Sequence, residues 1–241
     1  MIIKDTTGLS SYGMTVVHTY GEAAGYLNSK RNNSNRLIEE FIEGQQYGLE
    51  IYGVPGNYTV LPPLAFSVNQ YGITSPKQSV KYGPCELPEI LRDMMLGLAE
   101  NLELRGCAQV DLILDDMGEW HIIEINPRLS GMSYTYAGAC GLSVFDMLYN
   151  RDTFNPDIKK FVLSLKLPLM TEAQMAEIMQ MEGVRLLNQT NDLAAKQERE
   201  KGFCECIICS EDKVILQKAI ACFEEKFPGD AIILQAKKMI E

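Results

Sequence analysis

Only two histidines, His18 and His121, occur in the 241 residues, and neither sits near a candidate nucleophile. A Ser–His or Cys–His relay is therefore not the chemistry to expect, and each lone imidazole reads as structural or exposed. Long apolar runs are also missing. No stretch of about 18 apolar residues would cross a bilayer, and the opening residues lack the layout of a secretion signal. Cations are outnumbered: 22 Lys and Arg stand against 32 Asp and Glu, for a formal net charge of −10. That balance argues against a nucleic-acid surface, which needs clustered positive charge. The seven cysteines are odd in number and scattered, which suits a reducing cytoplasm better than a disulfide framework. Cys204, Cys206 and Cys209 lie in an apolar run of strand length with no fourth Cys or neighbouring His. They read as core cysteines of a buried strand rather than a tetrahedral metal site. No Gly-Lys-Ser/Thr of a Walker A phosphate loop is present.

What is present begins with enough apolar sequence, 46% of residues, for one good core and a small second domain. The most informative segment runs from Gln109 to Arg128, Gln-Val-Asp-Leu-Ile-Leu-Asp-Asp-Met-Gly-Glu-Trp-His-Ile-Ile-Glu-Ile-Asn-Pro-Arg. It reads as two strands closed by a turn at Asp116, Met117 and Gly118. Alternation along a strand puts Glu124 and Asn126 on one face and Ile123 and Ile125 on the other. In the first strand the same rule separates Asp111 from Val110, Leu112 and Leu114. A register pairing Asp111 with either Ile122 or Glu124 would gather two carboxylates and an amide oxygen, a donor set suited to a hard cation such as Mg²⁺. A wet face of an ordinary hairpin is the alternative, and register decides between them.

A second signal lies upstream. Residues 1–17 read as strand, small-residue loop, strand, with Lys4 closing the first apolar run and Gly8, Ser10, Ser11 and Gly13 in the loop. Such a loop can lie against phosphate oxygens while Lys4 supplies a point charge, and a surface turn is the competing description.

Together these segments resemble the ATP-grasp superfamily, within it the carboxylate–amine ligases of the D-alanine–D-alanine ligase type, with carbamoyl-phosphate-synthase-like motifs as well. Lys4, Ser10, Ser11, Gly13 and Met14 match the family's phosphate-loop pattern. Leu37–Glu50 is similar to its adenine-binding connection. The resemblance implies that Glu39 and the carbonyl of Glu40 face the adenine amino group, with Phe41 in the same segment and the N–H of Ile42 on a ring nitrogen. Asp111, Glu124 and Asn126 fall on the family's Mg²⁺ (or Mn²⁺) ligands, and Arg128 lies where a substrate- or phosphate-facing arginine is placed. Gln46 stands where a ribose-binding glutamate is frequent, and it would bond without charge assistance. The turn at Ser130, Gly131 and Ser133 is a candidate for a substrate carboxylate or the transferred phosphate. The family also draws a phosphate lysine from the region of Lys77 and Lys81, and spacing does not choose between the two.

The implied architecture is α+β, a partial ATP-grasp fold holding the nucleotide between two mainly antiparallel sheets, with a small C-terminal α+β appendage. Residues 1–150 form the expected nucleotide and Mg-binding region and 151–241 the C-terminal domain, the boundary falling at Asn150–Pro156. Expected helices cover Gly21–Lys30, Leu87–Leu104, Asp192–Lys201 and Glu211–Phe227. Expected strands cover Tyr58–Val68, Ile73–Val80, Gly183–Leu187, Cys204–Cys209 and Ala231–Leu234. The implied activity is ATP-dependent activation of a carboxylate as an acyl phosphate, with Arg128 and Lys4 as the groups nearest the chemistry and a small-molecule acid and amine as partners. The resemblance also leads to the expectation that the family's usual N-terminal domain is lacking from this chain. A separately encoded N-terminal domain or a second copy of the chain is therefore an expected partner, and a non-catalytic nucleotide-binding or interaction fragment is the alternative. Carboxylase-type chemistry also stays open.

Overall fold

A computed structural model describes residues 1–6, 14–29, 35–68, 80–149, 156 and 158–241, the side chains of residues 197 and 198 excepted. Two compact units emerge, residues 1–43 and 44–241.

In the first unit, β1 (Ile2–Asp5), β2 (Thr15–Val16), α1 (Tyr20–Leu27) and β3 (Arg36–Glu39) follow one another. β1 is the central strand of a three-stranded antiparallel sheet, pairing Ile3 with Thr15 on one side and Ile38 on the other. Thr19 caps α1, its hydroxyl accepting from the Glu22 N–H at 3.1 Å, which satisfies one of the donors a helix start leaves open. Ile3, Val17 and Ala23 form the small core, with Tyr26 against it. The Arg36 guanidinium lies 4.6 Å over the Tyr26 ring and donates to Asp5 at 3.2 Å. Ser10, Ser11 and Gly13 lie outside the described residues, as does Lys77.

The second unit begins with β4 (Gly44–Val54), β5 (Asn57–Val60), β6 (Leu64–Phe66), β7 (Lys81–Gly83), α2 (Glu89–Asn101), β8 (Gly106–Asp115) and β9 (Trp120–Asn126). It continues with α3 (Gly131–Cys140), α4 (Val144–Tyr149), β10 (Phe161–Leu167), α5 (Glu172–Met179), β11 (Val184–Thr190), α6 (Leu193–Glu198), β12 (Phe203–Ser210), α7 (Lys213–Lys226) and α8 (Ala231–Ile240). One antiparallel sheet runs β11-β12-β10-β7-β6-β4-β8-β9, with β5 on β4. The strands before and after residue 150 thus belong to one sheet, joined where β7 pairs with β10. The expected boundary at 150–156 lies almost wholly outside the described residues.

Alternation sorts the side chains into layers. Leu49, Ile51, Val110 and Leu112 pack against Leu91, Met95 and Ala99 of α2, so this helix, expected over Leu87–Leu104, covers the back of the acidic hairpin. Ile90 and Leu102, apolar positions of the same segment, stay exposed. On the opposite face α3 lies across the sheet, and Met132, Tyr136 and Ala137 meet Phe66, Val162 and Ile207. β10 is buried on both faces, Leu163 and Leu165 joining the core with Leu216, Phe223 and Ile233 while Val162 joins the α3 side. Leu163, Leu165 and Leu167 alternate with Ser164 and Lys166, a strand period that was readable in the sequence, yet neither β10 nor α5 was among the expected elements.

Ala231–Leu234, expected as a strand, is the first turn of α8. Asp230 caps it, accepting from the N–H groups of Ile232 and Ile233 at 3.1 and 3.2 Å. Ile232, Ile233, Ala236 and Ile240 then fall on one buried stripe. Its helical period shows only when the window extends past Leu234. In β12, Cys204 and Cys206 face one core and Cys209 the opposite one, so the three thiols do not converge. Among the described residues no helix is long and apolar enough to cross a membrane.

Candidate functional site

The acidic hairpin has the register that gathers its oxygens. Asp111 pairs with Glu124 and Gln109 with Asn126, while a bulge after Asp111 brings Leu112 opposite Ile122. Of the two registers open in the sequence, the Glu124 pairing is the one formed. The bulge absorbs one residue of β9, so Glu124 and Asn126 share the Asp111 face although Ile122 is out of step. Residues directly opposite one another point the same way. Across β4, Gly48 faces Asp111, Glu50 faces Gln109 and Gln46 faces Ile113. The sheet therefore presents Gln46, Glu50, Gln109, Asp111, Glu124 and Asn126 on one surface. Gly48 has no spare room: an added Cβ would come within 2.4 Å of the Phe66 ring and 2.7 Å of Met132 Sδ.

Asp111 is half-buried and Glu124 exposed. Burial, then the facing charge of Glu124 and a hydrogen bond with it, push the Asp111 carboxyl up to about 7, against the opposing influence of Lys81 and the Gln109 amide. Two acids close enough to contend for a proton are the donor set whose repulsion a divalent cation relieves. Asn126 completes it: its Nδ2 donates to Glu124 Oε1 at 2.8 Å and to Gln109 Oε1 at 3.3 Å, which turns Oδ1 outward. Arg128 Nη2 donates to that Oδ1 at 3.2 Å and Nη1 to the Leu129 carbonyl at 3.3 Å. Asp111, Glu124 and Asn126 thus fit a hard cation, and Arg128 stands beside them. Among the described residues no group of three His, Cys, Asp or Glu side chains forms a competing metal cluster.

Next to this set is a carboxylate that the sequence reading overlooks. Glu50 is 1% exposed. Its Oε2 accepts from the Tyr52 hydroxyl at 2.7 Å, and its Oε1 accepts from Ser130 at 2.9 Å and Ser133 at 2.7 Å. Ser130 also caps α3, accepting from the Met132 N–H, while Ser133 accepts from the Ser130 N–H, each at 3.0 Å. Glu50 therefore pins the helix start that follows the Asn126–Arg128 strand end. Burial pushes its carboxyl upward, although its three hydroxyl donors and Lys81 oppose this. A charge inside the apolar run Leu49–Ile51, on the face shared with Gln46 and Gly48, is the signal that would have found it.

Lys81 stands opposite Phe66 on one side and Ser164 on the other. A Cβ added at Gly131 would lie 3.5 Å from its Nζ, so its ammonium sits by the first turn of α3. Its charge acts on both Asp111 and Glu50. In the first unit, Lys4 and Glu39 form an ion pair. Glu40 is exposed, and Phe41 and Ile42 are half-buried. His121 bonds Asp115 at 2.8 Å near the hairpin turn.

A family model described as the ATP-grasp domain matches residues 1–132. The chain belongs to the ATP-grasp family. It is 29% identical over 164 residues to a D-alanine–D-alanine ligase of Pelotomaculum thermopropionicum, covering 61% of this chain and 51% of that protein. It is 23% identical over 155 residues to a carbamoyl-phosphate synthase of Methanobrevibacter smithii, covering 62% and 41%. Among solved structures, an L-amino acid ligase from Bacillus licheniformis superposes with a TM-score of 0.68 at 18% identity, over 93% of this chain and 60% of that one. The chain spans about half the length, or less, of the curated relatives it matches. At that identity the structural likeness speaks for the fold, and the ATP-grasp fold of mixed helices and antiparallel sheets is the one observed.

Proposed function

We propose that this chain is an ATP-dependent ligase module that activates a carboxylate as an acyl phosphate for attack by an amine or similar nucleophile. The observation that carries the proposal is the convergence of Asp111, Glu124 and Asn126 on one sheet face, with Lys81 beside the start of α3. Asp111, Glu124 and Asn126 would hold Mg²⁺ or Mn²⁺, which supplies positive charge against the phosphate oxygens of ATP.

The chain's own residues position and neutralise. Lys81 is assigned to a phosphate, where the positive end of α3 adds to its charge. Arg128 orients a phosphate or the substrate acid, and Ser130, Gly131 and Ser133 shape the adjoining turn. In residues 1–43 the resemblance assigns Lys4, Ser10, Ser11 and Gly13 to phosphate and Glu39, Glu40, Phe41 and Ile42 to adenine. Gln46 is assigned to the ribose. A substrate carboxylate oxygen would attack the terminal phosphorus and ADP would leave. The amine would then attack the acyl carbon and inorganic phosphate would leave as the amine loses a proton. No side-chain nucleophile is needed, so positioning and electrostatics account for the site.

Because the chain spans about half of its relatives, nucleotide binding without turnover is the second reading, with acid and amine groups supplied by a partner domain or a second copy. Release of ADP with Mg²⁺ and a panel of carboxylic acids and amines separates the two. Calorimetry tests the site itself: Glu124→Gln removes a charge at nearly constant volume, and Mg-ATP affinity should fall by at least about tenfold. Unchanged affinity would contradict the assignment.

A further inference from the structure

Gln109 is 7% exposed and stands between Glu50 on β4 and Asn126 on β9. Its two amide ends are used differently. Nε2 donates to Asp111 Oδ1 through a short hydrogen bond, and Oε1 accepts from Asn126 Nδ2 at 3.3 Å. One neutral side chain thus ties together two of the three cation-binding candidates. With Glu124 taking the second Asn126 bond at 2.8 Å, both amide hydrogens of Asn126 are committed, and its Oδ1, which already accepts from Arg128 Nη2 at 3.2 Å, is the oxygen with a lone pair for a cation. On Asp111 the same contact occupies Oδ1 and fixes the plane of the carboxylate.

The side-chain inventory narrows what can do this. A carboxylate offers no donor to Asp111, a guanidinium offers no acceptor to Asn126 and adds charge, and an aliphatic chain offers neither. An amide of glutamine length meets both needs and leaves the net charge unaltered.

We propose that Gln109 is a positioning residue which selects the oxygens that Asp111 and Asn126 present to the divalent cation. The inference rests on the metal-site reading above. Partners that orient metal ligands typically contribute about 10- to 100-fold to metal affinity. The test is a Mn²⁺ titration followed by electron paramagnetic resonance, with the non-hydrolysable analogue AMP-PNP present, on wild type, Gln109→Met and Glu124→Gln. Gln109→Met keeps length and removes both hydrogen bonds. Its Mn²⁺ affinity should fall by about tenfold or more, while its melting temperature and its metal-free affinity for AMP-PNP stay at wild-type values, which a role confined to packing would not produce. Gln109→Asn, one methylene short of bridging both partners, should show the same fall and serves if the methionine variant does not fold. Mn²⁺ affinity within twofold of wild type in the folded variant, with Glu124→Gln impaired, overturns the inference and leaves the site standing. Equal Mn²⁺ binding by wild type and Glu124→Gln overturns the site and the inference with it.

Discussion

Glu50 and Asp111 are carboxylates on the same sheet face, and their surroundings differ. Glu50 is sealed in, with three hydroxyl donors on its two oxygens. Asp111 is half-buried, receives one amide and faces a second acid. The first arrangement satisfies a buried carboxyl from within the protein and fixes a helix start. The second leaves like charges opposed at an accessible position, which costs stability unless a cation arrives. An acid surrounded by donors is structural, and two acids held against each other's charge are poised to bind. Lys81 serves both, which links the two halves of the surface.

Breaking the satisfied acid should have the largest effect on stability. Glu50→Ala leaves the hydroxyls of Tyr52, Ser130 and Ser133 without their shared acceptor and opens a cavity. Chemical denaturation should show a loss of about 2 to 4 kcal/mol. Glu50→Gln sharpens the point, because one amide oxygen still accepts both serines and the amide nitrogen can donate to Tyr52. Its loss should stay below about 1 kcal/mol, and equal losses for both variants would show that hydroxyl pairing is not what Glu50 provides.

The poised pair should behave in the opposite sense. Asp111→Asn relieves repulsion at nearly constant shape, so the metal-free protein should gain about 1 kcal/mol at pH 8 while losing Mg²⁺-dependent stabilisation. Denaturation with and without Mg²⁺ checks both halves, and destabilisation of the metal-free form would place Asp111 in the same class as Glu50. The pH dependence follows from the raised carboxyl, about 7 folded against about 4 unfolded. The folded state holds that proton more tightly, so metal-free stability falls as pH rises from about 4 to about 7 and flattens above. Mg²⁺ must displace the proton below pH 7, so the melting shift it causes should grow from pH 6 to pH 8. Asp111→Asn should erase this growth, which is the smallest of the predicted effects and the most specific.

The acidic hairpin was legible in the sequence because its information is local: alternation fixed the faces, and register was the one open choice. The bulge after Asp111 settles that choice, and nothing in the letters Asp111-Leu112 announces it. Glu50 was hidden because it reaches residues 80 and 83 positions away, whereas Gln109, whose partners Asp111 and Asn126 lie in its own hairpin, looks in the sequence like one more polar residue on the acidic face. Helix α8 was mistaken for a strand because Ala-Ile-Ile-Leu satisfies either period over four residues. β10 went unread although Leu163, Leu165 and Leu167 alternate with Ser164 and Lys166, because the pattern is short and Val162 extends it into an apolar run. Lys81 lies by the turn at Gly131 through the β6–β7 pairing, while Lys77 lies outside the described residues.

The central claim is that Asp111, Glu124 and Asn126 hold the cation that accompanies the nucleotide. A crystal structure grown with Mn²⁺ and AMP-PNP tests it directly, because manganese gives an anomalous signal that oxygen does not. The account predicts an anomalous peak roughly 2.0 to 2.3 Å from oxygens of all three side chains, with phosphate density against it. A manganese peak bound to nucleotide elsewhere, with these three side chains uncoordinated, would contradict it.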